Sequence, residues 1–183
     1  MEEIIQSHIN TTRFSYYFIK RSLDIIGSLL LIIILSPMYL FIVLLILFSS
    51  GLPIFYSWKI IGFNGKHITS WKFRTMIQEA ENYKQELSDK NEMHGPIFKM
   101  KNDPRITWEG RFLRKYSMDE SIQLISVLKG DMSLVGPRPP LQTEWIDYND
   151  EHKQKASVKP GLTGLWQVSG RNRISDFDDI FSV

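Results

Sequence analysis

The sequence predicts an α+β, helix-rich chain: an N-terminal re-entrant membrane helix-break-helix followed by a polar domain with a small β-hairpin. Three observations predict it. No charged side chain occurs between Asp24 and Lys59, the turn dipeptide Asn64-Gly65 separates two β-rich stretches, and apolar residues recur at helical spacing from Ile122 to Leu128. The expected organisation is an N-terminal flank at 1–19, a membrane segment at 20–56 and a domain at 57–183.

The run Ile25 to Phe48 is almost wholly Leu, Ile, Val, Phe and Met, longer than the roughly 18 residues that mark a membrane segment. It is too long for the core of a cleaved secretory signal, about 7 to 15 residues. Ser36-Pro37 sits at its middle. Proline removes a backbone donor and crowds the preceding turn, so two arms are expected, Ile25 to Ser36 and Met38 to Ser49. At 1.5 Å per residue each arm is about 18 Å long, short of a hydrocarbon core of about 30 Å. Arg13, Lys20 and Arg21 precede the run, and Lys59, Lys66, Lys72 and Arg74 follow it. The positive-inside rule therefore puts both ends on the cytoplasmic side. A re-entrant hairpin satisfies both flanks. A kinked single anchor stays open, because prolines are tolerated in membrane helices.

The whole-chain averages conceal this segment. With 43% hydrophobic and 23% charged residues and a net charge of +2, the 183-residue chain has the composition of one ordinary globular domain. Collagen-like and disordered classes are excluded, and so small a charge gives no strong basic field for nucleic acid. The absence of cysteine removes disulfides, thiolate metal sites and a cysteine nucleophile.

After the membrane segment, Trp58 to Phe63 and Lys66 to Phe73 read as a hairpin around Asn64-Gly65. Gln78 to Lys90 is polar without an apolar stripe, an exposed helix or an excursion. Asn102-Asp103-Pro104 marks a turn. Ser117-Met-Asp-Glu120 has the capping-box pattern before a helix that Gly130 closes. Pro137, Pro139 and Pro140 exclude regular helix, and Leu141 to Ala156 has helical character. Pro160, Gly161, Gly164 and Gly170 mark a second tight loop region.

Walker A, dinucleotide-binding and His-Glu-x-x-His patterns are absent, and the four histidines are scattered. The Asp119-Glu120 pair is the first candidate for chemistry. In the first turn of a helix its carboxylates would be stabilised by the dipole, and capping alone accounts for most such pairs. Arg105, Arg111, Arg114 and Lys115 precede the pair, and Arg138 lies between two prolines, pre-organised for a phosphate. A membrane segment, paired carboxylates and several guanidinium groups together suggest an anionic substrate at the bilayer face.

These stretches resemble the bacterial sugar transferases, the monotopic phosphoglycosyl transferases of polyprenyl phosphate, in their small single-domain form. The resemblance rests on Lys20-Arg-Ser-Leu-Asp24, Ser36-Pro37, Lys72-Phe-Arg-Thr-Met76, Gly110-Arg-Phe-Leu-Arg114 and Ser117-Met-Asp-Glu120. It continues in Leu128-Lys-Gly-Asp-Met-Ser-Leu-Val-Gly-Pro-Arg-Pro139 and the run from Val158 to Asn172. It implies transfer of a phospho-sugar from a UDP-sugar to undecaprenyl phosphate with release of UMP. The reaction takes place at the cytoplasmic face of the bacterial inner membrane and initiates cell-surface polysaccharide assembly. It further implies Asp119 as the nucleophile that forms a covalent phosphosugar-enzyme, with a magnesium ion held at Asp119. Glu120 then assists the lipid phosphate, and Lys72, Arg114, Arg138 and Arg171 bind phosphate. The Ser36-Pro37 break matches the family's re-entrant helix. Implied partners are UDP-sugar, undecaprenyl phosphate, inner-membrane lipid, and glycan-assembly enzymes or a second copy of the chain; nucleic acid is not among them.

Two departures accompany the resemblance. Met118, Ser121 and Ile122 stand where the family usually has Leu, Leu and Pro. The family pattern also continues beyond Arg171-Asn172, so part of the C-terminal region is expected to be missing. The alternative reading is a non-catalytic membrane protein that keeps only partner contacts in a glycan-assembly complex.

Overall fold

The computed structural model describes residues 2–83, 85–92, 98 and 100–169. Helix α1 spans Glu2–Ser50, so the expected N-terminal flank is helical as well. Pro37 lies inside α1, and the helix runs through Ser36-Pro37 without the interruption expected there. The reason is local. Pro37 cannot donate to the Ile33 carbonyl four residues back, and the Ser36 hydroxyl donates to that same carbonyl at 2.8 Å.

Two footholds fasten α1 to the rest of the chain. At the first, the buried Asp24 carboxylate accepts from Lys20 Nζ at 2.7 Å, Ser133 Oγ at 3.0 Å and the Leu134 N–H at 3.0 Å. Beside it, Arg21 donates to the carbonyls of Val127 and Leu128 at 2.6 and 2.7 Å, a cation placed at a helix C-terminus where carbonyls lack partners. At the second, Ile42 and Ile46 pack with Phe73 and Leu113 in an apolar cluster joined by Met38, Tyr39, Val43, Met118 and Ile122. The end of α1 is capped by Arg74, which donates to the carbonyls of Ser50 and Gly51 at 2.6 Å. Between Ser28 and Ile42 no residue is buried, and Leu29, Leu30, Ile33, Ile34, Leu40 and Phe41 are exposed. Trp108 extends this apolar surface, sharing a groove with Phe41, Leu44, Leu45 and Phe48.

The hairpin forms as predicted. Strands β1 (Phe55–Ile61) and β2 (His67–Phe73) pair antiparallel, Phe55 opposite Phe73 and Ile61 opposite His67. Asn64 and Gly65 both take positive φ, 53° and 76°, within a longer turn than the two-residue type. Because side chains alternate along a strand, Tyr56, Trp58 and Ile60 share a face with Lys72, Ser70 and Ile68. That face is turned inward at Ile60, Ile68 and Ser70, while Tyr56 at its far end is exposed. Ile60 and Ile68 join Val127 and Met132 in a second apolar cluster, with Trp58, Leu134 and Leu141 against it.

Residues 78–83 and 85–90 form exposed turns and one 3-10 turn, Ser88–Lys90, the excursion rather than the helix considered for Gln78 to Lys90. Asp103 does form a turn, its carboxylate accepting from the Arg105 backbone and, in a fork, from its side chain. Helix α2 covers Trp108–Lys115, with the Thr107 hydroxyl accepting from the Gly110 N–H at its start. The capping box expected at Ser117 and Glu120 does not form. Ser117 adopts a left-handed conformation, φ 55°, makes no side-chain cap bond, and leads into a 3-10 helix at Met118–Gln123. Only then does α3 begin, Leu124–Lys129, closed by Gly130 at φ 90°.

The two tight loops expected from their prolines and glycines are brought together by a parallel pair, β3 (Ser133–Val135) with β4 (Gly161–Thr163). Gly136 touches the backbone of residues 159–161, where an added Cβ would lie 2.5 Å from the Lys159 carbonyl oxygen. No side chain fits there. The Leu141 to Ala156 region contains two short helices, α4 (Gln142–Trp145) and α5 (Asp150–Lys153), and a 3-10 turn rather than one helix. Helix α6 covers Leu165–Val168, and Gly170 lies outside the described residues.

Candidate active site

Four separate elements carry the site. The 3-10 helix Met118–Gln123 is seated by its apolar residues: Met118 and Ile122 pack on the cluster around Ile42 and Phe73, and Tyr39 of α1 donates to the Ser121 carbonyl at 3.1 Å. Asp119 and Glu120 are thereby held next to the apolar helix. Asp119 is only 5% exposed.

Lys72 comes from β2, on the inward face of the hairpin. Its ammonium lies 4.3 Å from the centre of the Trp58 ring and 5.7 Å from that of Tyr56, a cation resting on the negative faces of aromatic rings. Arg114 comes from the last turn of α2, its Nε donating to the Thr75 hydroxyl at 2.8 Å. Arg138 comes from the loop after β3. Its two terminal nitrogens donate to the two Glu144 carboxylate oxygens at 2.9 and 3.0 Å.

These groups share one electrostatic neighbourhood. Burial, reinforced by the Arg114 guanidinium, pulls the Lys72 ammonium below the ordinary lysine range against the opposing pull of Glu120 and Asp119. Burial likewise lowers Arg114, while Asp119, Asp103 and Glu120 act to raise it. Burial works against the charge of Arg138 too, but the Glu144 carboxylate and its hydrogen bonds outweigh it and hold the guanidinium above its usual value.

Of the residues the sequence singles out, Asp119, Glu120, Lys72, Arg114 and Arg138 are thus assembled in one place, and Arg171 lies outside the described residues. Ser36 and Pro37 stand apart, on the exposed middle of α1. Sequence reasoning gave no role to Glu144, Trp58 and Thr75, which hold the three cations. It also quoted Asp24 without a role. The spacing of Lys20 and Asp24, four residues apart with both at the edge of an apolar run, was an available signal for that foothold.

Among the described residues, no three His, Asp or Glu side chains converge on a point. A cage made by protein alone is therefore absent among them. Magnesium commonly binds through one or two carboxylates together with water and substrate phosphates, and the Asp119-Glu120 pair fits that mode. Chemically, the arrangement sets a buried carboxylate among cations suited to phosphate oxygens, at the foot of a helix with a bare apolar surface.

Known proteins are similar to this chain in sequence. The chain is 46% identical over 171 residues to the galactosyl transferase CpsE of Streptococcus agalactiae serotype III, covering 93% of this chain and 38% of that protein. It is 43% identical over 177 residues to the undecaprenyl-phosphate galactose phosphotransferase of Salmonella typhimurium, covering 92% and 36% respectively. With the exopolysaccharide production protein ExoY of Sinorhizobium fredii, identity is 42% over 160 residues, 85% of this chain and 71% of that protein. The chain spans somewhat over a third of the length of the first two relatives. Residues 15–183 match the bacterial sugar transferase model, and the chain belongs to that family.

Proposed function

We propose that this chain transfers a phospho-sugar from a UDP-sugar to undecaprenyl phosphate at the cytoplasmic face of the inner membrane, releasing UMP. The observation that carries this reading is the convergence of Asp119 and Glu120 with Lys72, Arg114 and Arg138 beside an apolar helix. In the first step an Asp119 carboxylate oxygen bonds to the β-phosphorus of the UDP-sugar. The bond from that phosphorus to the bridging oxygen breaks, and UMP leaves with the electron pair. In the second step an oxygen of undecaprenyl phosphate attacks the same phosphorus, and the Asp119 carboxylate is restored.

An anionic nucleophile approaching a diphosphate meets like-charge repulsion, and Lys72, Arg114 and Arg138 offset it. Glu120 orients the lipid phosphate. A magnesium ion bound at Asp119 with the diphosphate would supply further charge neutralisation.

The membrane reading is supported by the two footholds of α1. Asp24 and Ile42 are fastened to the same domain, and the stretch between Ser28 and Ile42 carries only apolar side chains apart from Ser36, Pro37 and Tyr39, whose hydroxyl turns to the Ser121 carbonyl. A re-entrant path, entering and leaving the bilayer on one side, is our reading of these two footholds on one polar domain, and it requires the continuous helix to bend at Ser36-Pro37 within lipid. Single cysteines, Ser7→Cys and Ser57→Cys, in this cysteine-free chain are expected to be labelled from the same side of sealed vesicles. Labelling from opposite sides would refute the re-entrant path.

The decisive experiment supplies a panel of UDP-sugars to membranes holding the chain and follows UMP release and a phosphosugar adduct by mass spectrometry. Asp119→Asn is expected to lose turnover by about a thousandfold or more, since the amide is no nucleophile. Full turnover by that variant would eliminate the mechanism. The alternative, a membrane protein that only holds glycan-assembly partners, has no observation of its own in its favour, and UMP release by this chain removes it.

A further inference from the structure

We propose that Glu144 is the positioning residue for Arg138, fixing its guanidinium at the diphosphate of the nucleotide substrate. This inference rests on the proposed transfer reaction and adds to it the group that aims one of its cations.

The backbone on either side of Arg138 is pinned. The Pro137 carbonyl accepts from the Gly161 N–H at 2.8 Å, and the Pro140 carbonyl accepts from the Ile61 N–H at 2.9 Å. What remains mobile is the side chain, four rotatable bonds long, and Glu144 takes up that freedom. Both terminal guanidinium nitrogens are engaged by both carboxylate oxygens, at 2.9 and 3.0 Å, the planar fork that Arg alone among the cations can form. The carboxylate is itself held, because the oxygen facing Nη1 also accepts the Leu141 N–H at 2.9 Å. Glu144 is 3% exposed, and two of the five guanidinium donors are committed to it. An arginine locked in this way binds phosphate without first surrendering side-chain freedom.

The plainer role for Glu144 is to cap α4, its carboxylate accepting the Leu141 N–H at the start of that helix. Capping uses a single oxygen, whereas here both oxygens also serve the arginine. Glutamine at the same position keeps a carbonyl oxygen for Leu141 and loses the second acceptor and the charge. Glu144→Gln therefore separates the cap from the pair.

The test measures UDP affinity of the full chain in lipid nanodiscs by calorimetry, alongside steady-state turnover and thermal melting. For Glu144→Gln, UDP is expected to bind about tenfold more weakly and KM for the UDP-sugar to rise about tenfold, with kcat within about threefold of the parent. In an Arg138→Ala background the same change is expected to cost less than about twofold more, because a residue that acts through Arg138 has nothing left to position. Should Glu144→Gln melt as an unfolded chain, Glu144→Asp serves instead. It keeps the charge, cannot span the fork, and is expected to weaken UDP binding by a comparable factor. Unchanged UDP affinity in the folded variant, or a full additional loss in the Arg138→Ala background, overturns the proposal. UDP binding that depends on Glu144 without any turnover by the parent chain would instead count against the transfer reaction, so the two failures are distinguishable.

Discussion

Lys72 on the hairpin and Arg138 on the proline loop are both buried cations within the influence of Glu120, yet the fold treats them in opposite ways. Lys72 rests on the rings of Trp58 and Tyr56, and burial lowers its affinity for its proton. Arg138 is bound by a full counter-charge, and Glu144 raises its affinity despite burial. A ring face attracts a cation by about 0.5 to 2 kcal/mol and brings no net charge. A carboxylate fork brings a whole one. Arg138 is therefore geometrically fixed and paired with a whole counter-charge, while Lys72 keeps its charge available for an incoming anion and remains able to lose it.

The largest expected effect breaks the contrast outright. Lys72→Met removes the charge that no carboxylate fork holds and is expected to lower kcat/KM for the UDP-sugar about a hundredfold, some 2.7 kcal/mol, in the upper range for hydrogen bonds to charged groups. A loss smaller than about threefold would show that Lys72 is not the principal phosphate contact.

The second prediction uses pH. A lysine whose folded pKa is lowered gives up its proton before the ordinary value of about 10.4 is reached. On the alkaline side, below that value, KM is expected to rise about tenfold per pH unit as Lys72 discharges, until it reaches the level of Lys72→Met. Folding stability moves the other way. Between the folded pKa and about 10.4 the unfolded chain binds more protons, so stability rises with pH. Weaker substrate binding together with a higher melting temperature is the signature to seek, and Lys72→Arg is expected to abolish the KM rise. Initial rates and thermal melts across pH 7 to about 10 measure both.

The smallest effect sharpens the comparison. Trp58→Leu removes the ring and leaves the ammonium, and should weaken UDP-sugar binding by about three- to tenfold, the worth of a partly desolvated cation–π contact. The KM rise should shift to a different pH in the same variant, because the environment that sets the Lys72 pKa has changed. An unshifted profile would show that the ring does not govern the titration.

Much of this was legible in the residues. Asn64-Gly65 announced the hairpin and Gly130 the end of α3, because each depends on local chemistry that the chain displays directly; Asp119-Glu120, Arg114 and Arg138 stood out as charged candidates, and their roles came from the family resemblance. The uncharged run from Ile25 announced α1. Contacts between distant positions were not legible. Trp58 read as an ordinary strand residue until β-pairing set it diagonal to Lys72. The two loops around Gly136 and Gly161 could be seen as tight but not as touching. Pro37 signalled a break by rule, yet the helix runs on, with the Ser36 hydroxyl serving the orphaned carbonyl. Ser117 carried the capping pattern, but its left-handed backbone sends the chain into a 3-10 turn. Pattern rules there could not foresee the packing of Met118 and Ile122.

The polar foothold of α1 also bears on how the chain is made. Asp24 and the Leu134 N–H that it accepts are 110 residues apart, so at about 5 to 20 residues per second a ribosome needs about 5 to 20 seconds to supply the second partner after the first. During that interval an apolar helix is already able to enter lipid with a carboxylate at its edge. Lys20 lies one turn away, and its 2.7 Å contact with Asp24 belongs to the helix itself. The charge can thus be matched from the moment the first turns form, and the same pair later receives Ser133 and Leu134 when the rest of the domain emerges.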